Sequence, residues 1–264
     1  MNTISLFGMR IHALNMSAAV EKVLDWCREP LAGSCRFVVT PNVDHAVMYQ
    51  SSTGLRKAYG KASLVLADGA PIVLASKLLG RPLPERVAGS DLVPAIFDRQ
   101  ATFQSTMNRP LRVFFLGAGP GVAVRAAHAT HQRWRQVDVV GTYSPPSGFE
   151  RDTLESKRIL QRIAESQPDL LLVGFGAPKQ ELWVERHSGQ IEAKVALCVG
   201  ATIDFLAGEK SRSPQWMREN GLEWLHRLVS EPQRLAKRYF RDALIFPQLV
   251  WQEWRKGKAS GAAN

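Results

Sequence analysis

The sequence predicts an α/β fold: a mostly parallel sheet with helices on both faces, followed by a basic helical C-terminal appendage. Three observations predict it. Short apolar runs rich in β-branched and aromatic residues recur as far as Gly200. Helical patterns lie between them, which is the alternation of a parallel, Rossmann-like sheet. Past Gly208 the alternation stops, and basic residues and tryptophans accumulate.

The expected strands are Arg36–Thr40, Ser63–Leu66, Leu111–Leu116, Val137–Gly141, Asp169–Gly174 and Val195–Gly200. Each is apolar in consecutive positions, as a strand buried on both faces should be. The expected helices are Ser17–Arg28, Ala70–Leu79, Asp91–Thr102, Gly121–Trp134, Arg151–Ser166 and Pro178–His187. Ile4–Leu14 adds a small strand or hairpin at one edge. In the C-terminal part, Pro214–Ser230 reads as one helix with Met217, Gly221, Trp224, Leu225 and Leu228 on a face. Pro232 then suits the first position of another helix. On it Arg234, Arg238 and Arg241 form a stripe beside Leu235, Tyr239 and Phe246. Two readings of that helix stand: it lies at a membrane surface, or it packs on the domain with a solvated basic edge. The expected organisation is a catalytic domain over 1–208, an amphipathic basic appendage over 209–256, and a disordered tail over 257–264.

The 264 residues carry a formal charge of +10. Lys210 to Lys258 holds 11 Lys/Arg against 5 Asp/Glu, and four of the seven tryptophans. Basic residues mixed with tryptophan suit an anionic surface such as phospholipid heads, diphosphates or nucleic acid. Three cysteines without a CxxC spacing read as reduced, partly buried thiols. His128 and His131 share a helix with Arg125 and Arg133, which suits a solvated face better than a metal site. The start lacks a signal-peptide pattern, and no run of 18 apolar residues exists to span a bilayer. A cytoplasmic protein is expected.

Ligands of open α/β sheets bind beyond the carboxyl ends of the strands. Thr40 and Asn42 follow the first expected strand and offer hydrogen bonds, or simply cap a helix. Asp68 follows the second, with Gly69 beside it; it is either a general base toward a hydroxyl or an N-cap. Arg86 can clamp a diphosphate through its planar fork, while Ser90 or Asp91 caps the next helix, with Asp91 taken as structural. Gly117, Gly119 and Gly121 open a helix after the third strand, where phosphate can approach backbone N–H groups. Val122 replaces the last glycine of GxGxxG, and no acidic residue closes a strand about 20 residues on, so a dinucleotide site is disfavoured. Lys179 and Gln180 sit in the first turn of a helix, near its positive end, with Glu181 as a dipole partner. Asp204 follows the last strand and either accepts from a nucleoside or caps a turn. No metal-binding spacing occurs, and no metal or other cofactor is expected.

Six of these stretches together resemble the WecG/TagA/CpsF family of glycosyltransferases. They are Thr40-Pro-Asn42, Ala-Asp68-Gly-Ala-Pro-Ile, Glu-Arg86-Val-Ala-Gly-Ser-Asp-Leu, Gly-Ala-Pro-Lys-Gln180-Glu, Gly-Ala-Thr-Ile-Asp204-Phe and Gly-Leu-Glu-Trp224-Leu-His-Arg227-Leu. The resemblance implies an inverting transfer from a UDP-sugar donor to the 4-hydroxyl of a sugar on undecaprenyl diphosphate, at the inner face of the cell membrane. It implies Asp68 as base and Arg86 on the leaving diphosphate. It also implies Thr40 and Gln180 near the transferred sugar, Asp204 at the nucleoside, and an appendage that meets the membrane and closes the site with Arg227, Arg234 and Arg238. Where relatives carry Asp-Gly-Tyr, this chain has Ser147-Gly148-Phe149, so Phe149 keeps a ring for uracil and loses the hydroxyl. A homo-oligomer is compatible with this reading. Two others remain beside it: a nucleotide-dependent oxidoreductase on a similar sheet, and a basic nucleic-acid-binding module, although no nucleic-acid-binding motif is present.

Overall fold

The computed structural model describes residues 1–261 apart from Ala32 and Asn220, with the side chains of Gln215, Glu219, Arg234, Ala259 and Ser260 left aside. The chain opens on a hairpin, β1 (Thr3–Leu6) and β2 (Met9–His12), then α1 (Met16–Arg28), which Asn15 caps through its side chain. The main sheet and its helices follow: β3 (Arg36–Val39), α2 (Val43–Ser51), α3 (Thr53–Lys61), β4 (Leu64–Val65), α4 (Ala70–Leu78), α5 (Gly89–Phe97), α6 (Gln100–Met107), β5 (Leu111–Gly117), α7 (Val122–Arg133) and β6 (Val137–Tyr143). After the short 3-10 turn Phe149–Arg151 come α8 (Thr153–Ser166), β7 (Leu170–Gly174), α9 (Lys179–His187), β8 (Val195–Cys198) and α10 (Thr202–Leu206). The C-terminal part holds α11 (Gln215–Glu219), α12 (Glu223–Ser230) and α13 (Pro232–Gly261).

The six strands pair in the order β4-β3-β8-β7-β5-β6, every pair parallel. Alternate side chains enter two separate cores. Phe37, Val39, Phe114, Leu116, Leu171 and Val173 join one, whereas Val38, Val113, Phe115, Leu170 and Leu172 join the other. Helices cover both faces, and this is why the strands read as unbroken apolar runs. The hairpin lies beside β4 at the sheet edge, where His12 Nδ1 accepts the Val65 N–H at 3.0 Å. At the amino edge, buried Asp169 takes two hydrogen bonds from Arg109, at 2.6 and 2.7 Å, and an ion pair from Lys194. That cluster closes the end of the sheet away from the ligand-binding edge.

Several expectations change. The helix expected over Asp91–Thr102 is two helices, α5 and α6, separated at Asp98 and Arg99. Pro94 inside α5 and the break after Phe97 let α6 turn away. The single helix expected over Pro214–Ser230 is also two, because Gly221 adopts φ +71 and ends the helical path. Its expected apolar face is therefore split, and α12 buries none of its residues. Neither Ser90 nor Asp91 caps α5: its N-cap is Ala88, without a side-chain hydrogen bond. The tail expected to be disordered from Gly257 is helical through Gly261, and residues 262–264 lie outside the described residues. Helices α3 and α10 come from stretches to which the sequence reading gave no element, and for α2 it gave a helix entered at Asn42 without bounds.

Candidate active site

A cavity of about 320 Å³ opens at the carboxyl edge of the sheet, between the loops after β3 and β4 and the C-terminal helices. Asn42, Asp68, Arg86, Arg227 and Arg238 all line it, so the structure brings five of the expected site residues together. Aromatic and apolar groups from α12 and α13, among them Trp224, Tyr239 and Phe246, form the outer wall.

Asp68 sits on a loop tied to its neighbour, its N–H donating to the Pro41 carbonyl at 2.8 Å. The helix-capping alternative is not realised. The N-cap of α4 is Gly69, with no side-chain bond, and Pro71 occupies the first turn. Burial pushes the Asp68 carboxyl up to about 6, although Arg227 and Arg86 pull the other way. Four carboxylates line the cavity: Asp44, Asp68, Glu223 and Asp242. Arg238 and Arg241 pair with Asp44, Arg86 and Arg227 with Glu223, and Arg241 with Asp242. Asp68 makes no ion pair among the described residues, so it keeps its lone pairs for a proton.

Arg86 donates through Nη1 to Glu223 Oε2 at 2.9 Å and through Nη2 to Asp91 Oδ2 at 2.6 Å. Asp91 also receives Arg212 at 2.7 Å and lies 3.5 Å from Arg218. The residue read as structural is thus the anchor of three arginines. Burial would raise the Glu223 carboxyl, but Arg227, Arg86 and Arg212 outweigh it and hold it low. Arg227 and Arg212 stand over the Phe205 ring, 5.5 and 5.8 Å from its centroid. This stacking joins the segment after β8 to the C-terminal helices. Arg238 and Arg241 of α13 reach Asp44 on α2, at 3.5 and 2.6 Å, so this part of the basic stripe is paired rather than solvated. The side chain of Arg234, the third stripe residue, lies outside the described residues.

Thr40, Gly117, Gly119, Phe149, Gln180 and Asp204 lie outside the cavity lining. Asn42 both lines the cavity and caps α2, its Oδ1 accepting the His45 N–H at 3.2 Å. Thr40 is buried, and its hydroxyl donates to the Cys198 carbonyl at 3.4 Å. Gln180 is buried, and its side chain bridges Glu181 and the Gly200 N–H. Asp204 is half-buried on α10. Phe149 is packed under Phe175, ring centroids 4.4 Å apart, inside the core rather than displayed for a base. Gly117 and Gly119 sit at the end of β5, in the other half of the sheet. A Cβ on Gly117 would come 2.6 Å from the Gly174 carbonyl oxygen, so close strand packing, with a φ of +115, demands this glycine. Among the described residues no group of three His, Cys, Asp or Glu is placed to hold a metal ion.

Sequence reasoning missed Glu223, Arg212, His45 and the carboxylates on α2 and α13. Only the Gly-Leu-Glu-Trp stretch carried a signal for any of them, and there Glu223 passed as a neighbour of Trp224.

A parallel α/β sheet whose carboxyl edge carries a cavity lined by Asp68 and Arg86 has the architecture of an enzyme that binds its ligands at the ends of the strands. Residues 4–260 match the Glycosyl transferase WecG/TagA/CpsF family, and the chain belongs to it. It is a hexosyltransferase; neither the oxidoreductase nor the nucleic-acid-binding reading stands. Two relatives carry the name N-acetylglucosaminyldiphosphoundecaprenol N-acetyl-beta-D-mannosaminyltransferase. One, from Bacillus spizizenii, is 29% identical over 224 residues, covering 85% of this chain and 80% of the relative. The other, from Staphylococcus aureus strain MRSA252, is 32% identical over 225 residues, covering 84% and 82%.

Proposed function

We propose that this enzyme transfers an N-acetylmannosaminyl group, with inversion, from a UDP-sugar to the 4-hydroxyl of N-acetylglucosamine on undecaprenyl diphosphate. The observation that carries the reading is the shared cavity of Asp68 and Arg86, with Asp68 the one lining carboxylate that makes no ion pair among the described residues. The names of the relatives support the sugar and the lipid acceptor.

In this mechanism Asp68 removes the proton of the acceptor hydroxyl as its oxygen attacks the anomeric carbon. The bond from that carbon to the diphosphate breaks, and negative charge builds on the departing UDP. Arg86 and Arg227, and Arg238 from α13, neutralise it as preorganised donors. Three guanidinium groups line the cavity and supply positive charge for the diphosphate.

The enzyme works at the inner face of the membrane as a peripheral protein. Phe240, Leu244, Trp251 and Trp254 of α13 are exposed, and Arg255 and Lys258 stack on the two tryptophans at 4.8 and 4.1 Å. Exposed aromatics backed by cations suit an anionic lipid surface. Among the described residues no helix is long and apolar enough to cross a membrane.

The test is Asp68→Asn. General-base assistance contributes roughly 10²–10⁴-fold, so turnover should fall by that range while UDP binding persists. Mass analysis of products from a panel of UDP-sugars and a lipid-diphosphate acceptor identifies the sugar. Wild-type turnover in the variant removes Asp68 from the role.

A further inference from the structure

Three loops that the sequence singled out separately are joined by one buried polar chain. Asn42 Oδ1, after β3, accepts the His45 N–H and lies 2.8 Å from His45 Nδ1. On the other side of the ring, Nε2 is 3.3 Å from Glu181 Oε1 on α9. The same oxygen accepts Gln180 Nε2 at 2.8 Å, and Gln180 Oε1 accepts the Gly200 N–H after β8 at 3.1 Å. His45, Gln180 and Glu181 are 6%, 3% and 0% exposed.

The Asn42–His45 half of this chain is the capping box of α2, but a cap does not require the Glu181 half. A first-turn acid serving only the helix dipole would sit at the surface, yet Glu181 is fully enclosed, and its Oε2 has no hydrogen-bond partner. A buried carboxylate without a cation is strongly unfavourable. His45 is the titratable group that faces it, through Nε2. Burial would lower the His45 pKa, but the hydrogen bond and charge of Glu181, with Asp44 and Asp68, outweigh it and hold the pKa above its ordinary value. Those are the charged groups that face the ring, together with the Tyr59 ring of α3 at 6.4 Å. The ring donates to Glu181 Oε1 from Nε2, and its Nδ1 faces both Asn42 Oδ1 at 2.8 Å and the Asn42 backbone N–H at 3.4 Å, the reciprocal half of the α2 capping box. With Oδ1 committed to His45, Nδ2 is the group Asn42 offers to the cavity.

We propose that His45, held by Glu181, is a positioning residue for the transfer: it fixes the Asn42 side chain so that its amide N–H groups face substrate beside the Asp68 loop. The Asn42 Cβ lies close against that loop, 3.7 Å from a Cβ placed on Gly69. The proposal rests on the glycosyl-transfer reading and adds the device that aligns the hydroxyl-bearing substrate.

The experiment is a double-variant cycle read in kcat and KM. Asn42→Ala and His45→Ala should each lower kcat about 10–100-fold, the range expected when one aligned hydrogen bond is lost, with little change in the KM for the UDP-sugar. Because His45 acts through Asn42, the double variant should be no worse than either single one. Glu181→Gln keeps shape and hydrogen bonding, so it tests the pair even where His45→Ala does not fold; kcat should fall with thermal stability retained. A folded His45→Ala or Glu181→Gln with wild-type kcat, or losses that multiply in the double variant, would overturn the positioning role. Wild-type transfer is the control: its absence refutes the transferase reading itself, whereas wild-type transfer with an inert His45 refutes only this proposal.

Discussion

Arg86, on the loop between α4 and α5, holds Glu223 of α12 at 2.9 Å across the cavity that contains Asp68. One guanidinium therefore both lines the site and latches the C-terminal helices onto the sheet. Arg227 shares the same carboxylate, at 2.7 Å. On the proposed mechanism, a diphosphate entering the cavity would compete with Glu223 for both arginines.

Glu223→Gln should therefore tighten UDP binding. Half-buried pairs of this kind are worth about 1 kcal/mol, so the dissociation constant should fall roughly 3–10-fold. Titration calorimetry with UDP checks it. Weaker binding would mean that Glu223 orients the arginines rather than competing for them.

The acidic limb of kcat/KM should bend near pH 6, because Asp68 must be ionised to accept a proton and burial raises its carboxyl to about 6. The stability consequence has the opposite sense. The folded-state pKa lies above the unfolded one, so the favourable contribution is complete below about pH 4 and lost as pH rises through about 6. Asp68→Asn should accordingly raise stability at neutral pH by on the order of 1–3 kcal/mol. Melting curves at pH 4 and pH 7.5 test both signs, and a variant less stable than wild type at pH 7.5 contradicts the buried-charge account.

Gly221→Ala should damage the site without unfolding the sheet. Gly221 adopts φ +71, and a Cβ there would stand 2.6 Å from the Ala70 Cβ. The backbone strain alone is about 1–2 kcal/mol, and the clash pushes α12 away from α4. Transfer should drop at least tenfold while far-ultraviolet circular dichroism stays native; unchanged transfer would show that the two helices tolerate the shift.

Replacing Trp251 and Trp254 by glutamate should abolish binding to vesicles rich in anionic lipid, while transfer to a water-soluble short-chain acceptor stays within a few-fold. Wild-type binding should weaken with added salt, since part of it comes from the cations stacked on those rings. Sedimentation with vesicles at two ionic strengths measures both. Binding that survives the double substitution would place the lipid contact elsewhere.

All six strands of the main sheet were legible in the sequence, each within about two residues of its observed limits, as expected for pattern-based boundaries. So were α1, α4, α7, α8 and α9, and the places of Asp68 and Arg86. The reason is local: strands buried on two faces are short apolar runs, and their carboxyl ends are where loops carry ligand-binding groups. The start of α2 was legible as a helix entered at Asn42, but its extent was not, because Asn42 with His45 as the reciprocal partner departs from the usual acidic capping box.

The sequence by itself thus determined the sheet, its ligand-binding edge and the residue types standing there. Only the tertiary structure decided which charges meet: that Asp91 anchors Arg86, Arg212 and Arg218, that Asp44 holds α13, and that Glu181 is buried on His45. Pattern along a chain encodes burial, which depends on neighbours a few residues apart. Ion pairing depends on distances between segments as far apart as Asp44 and Arg241, and those distances exist only once the helices have packed on the sheet.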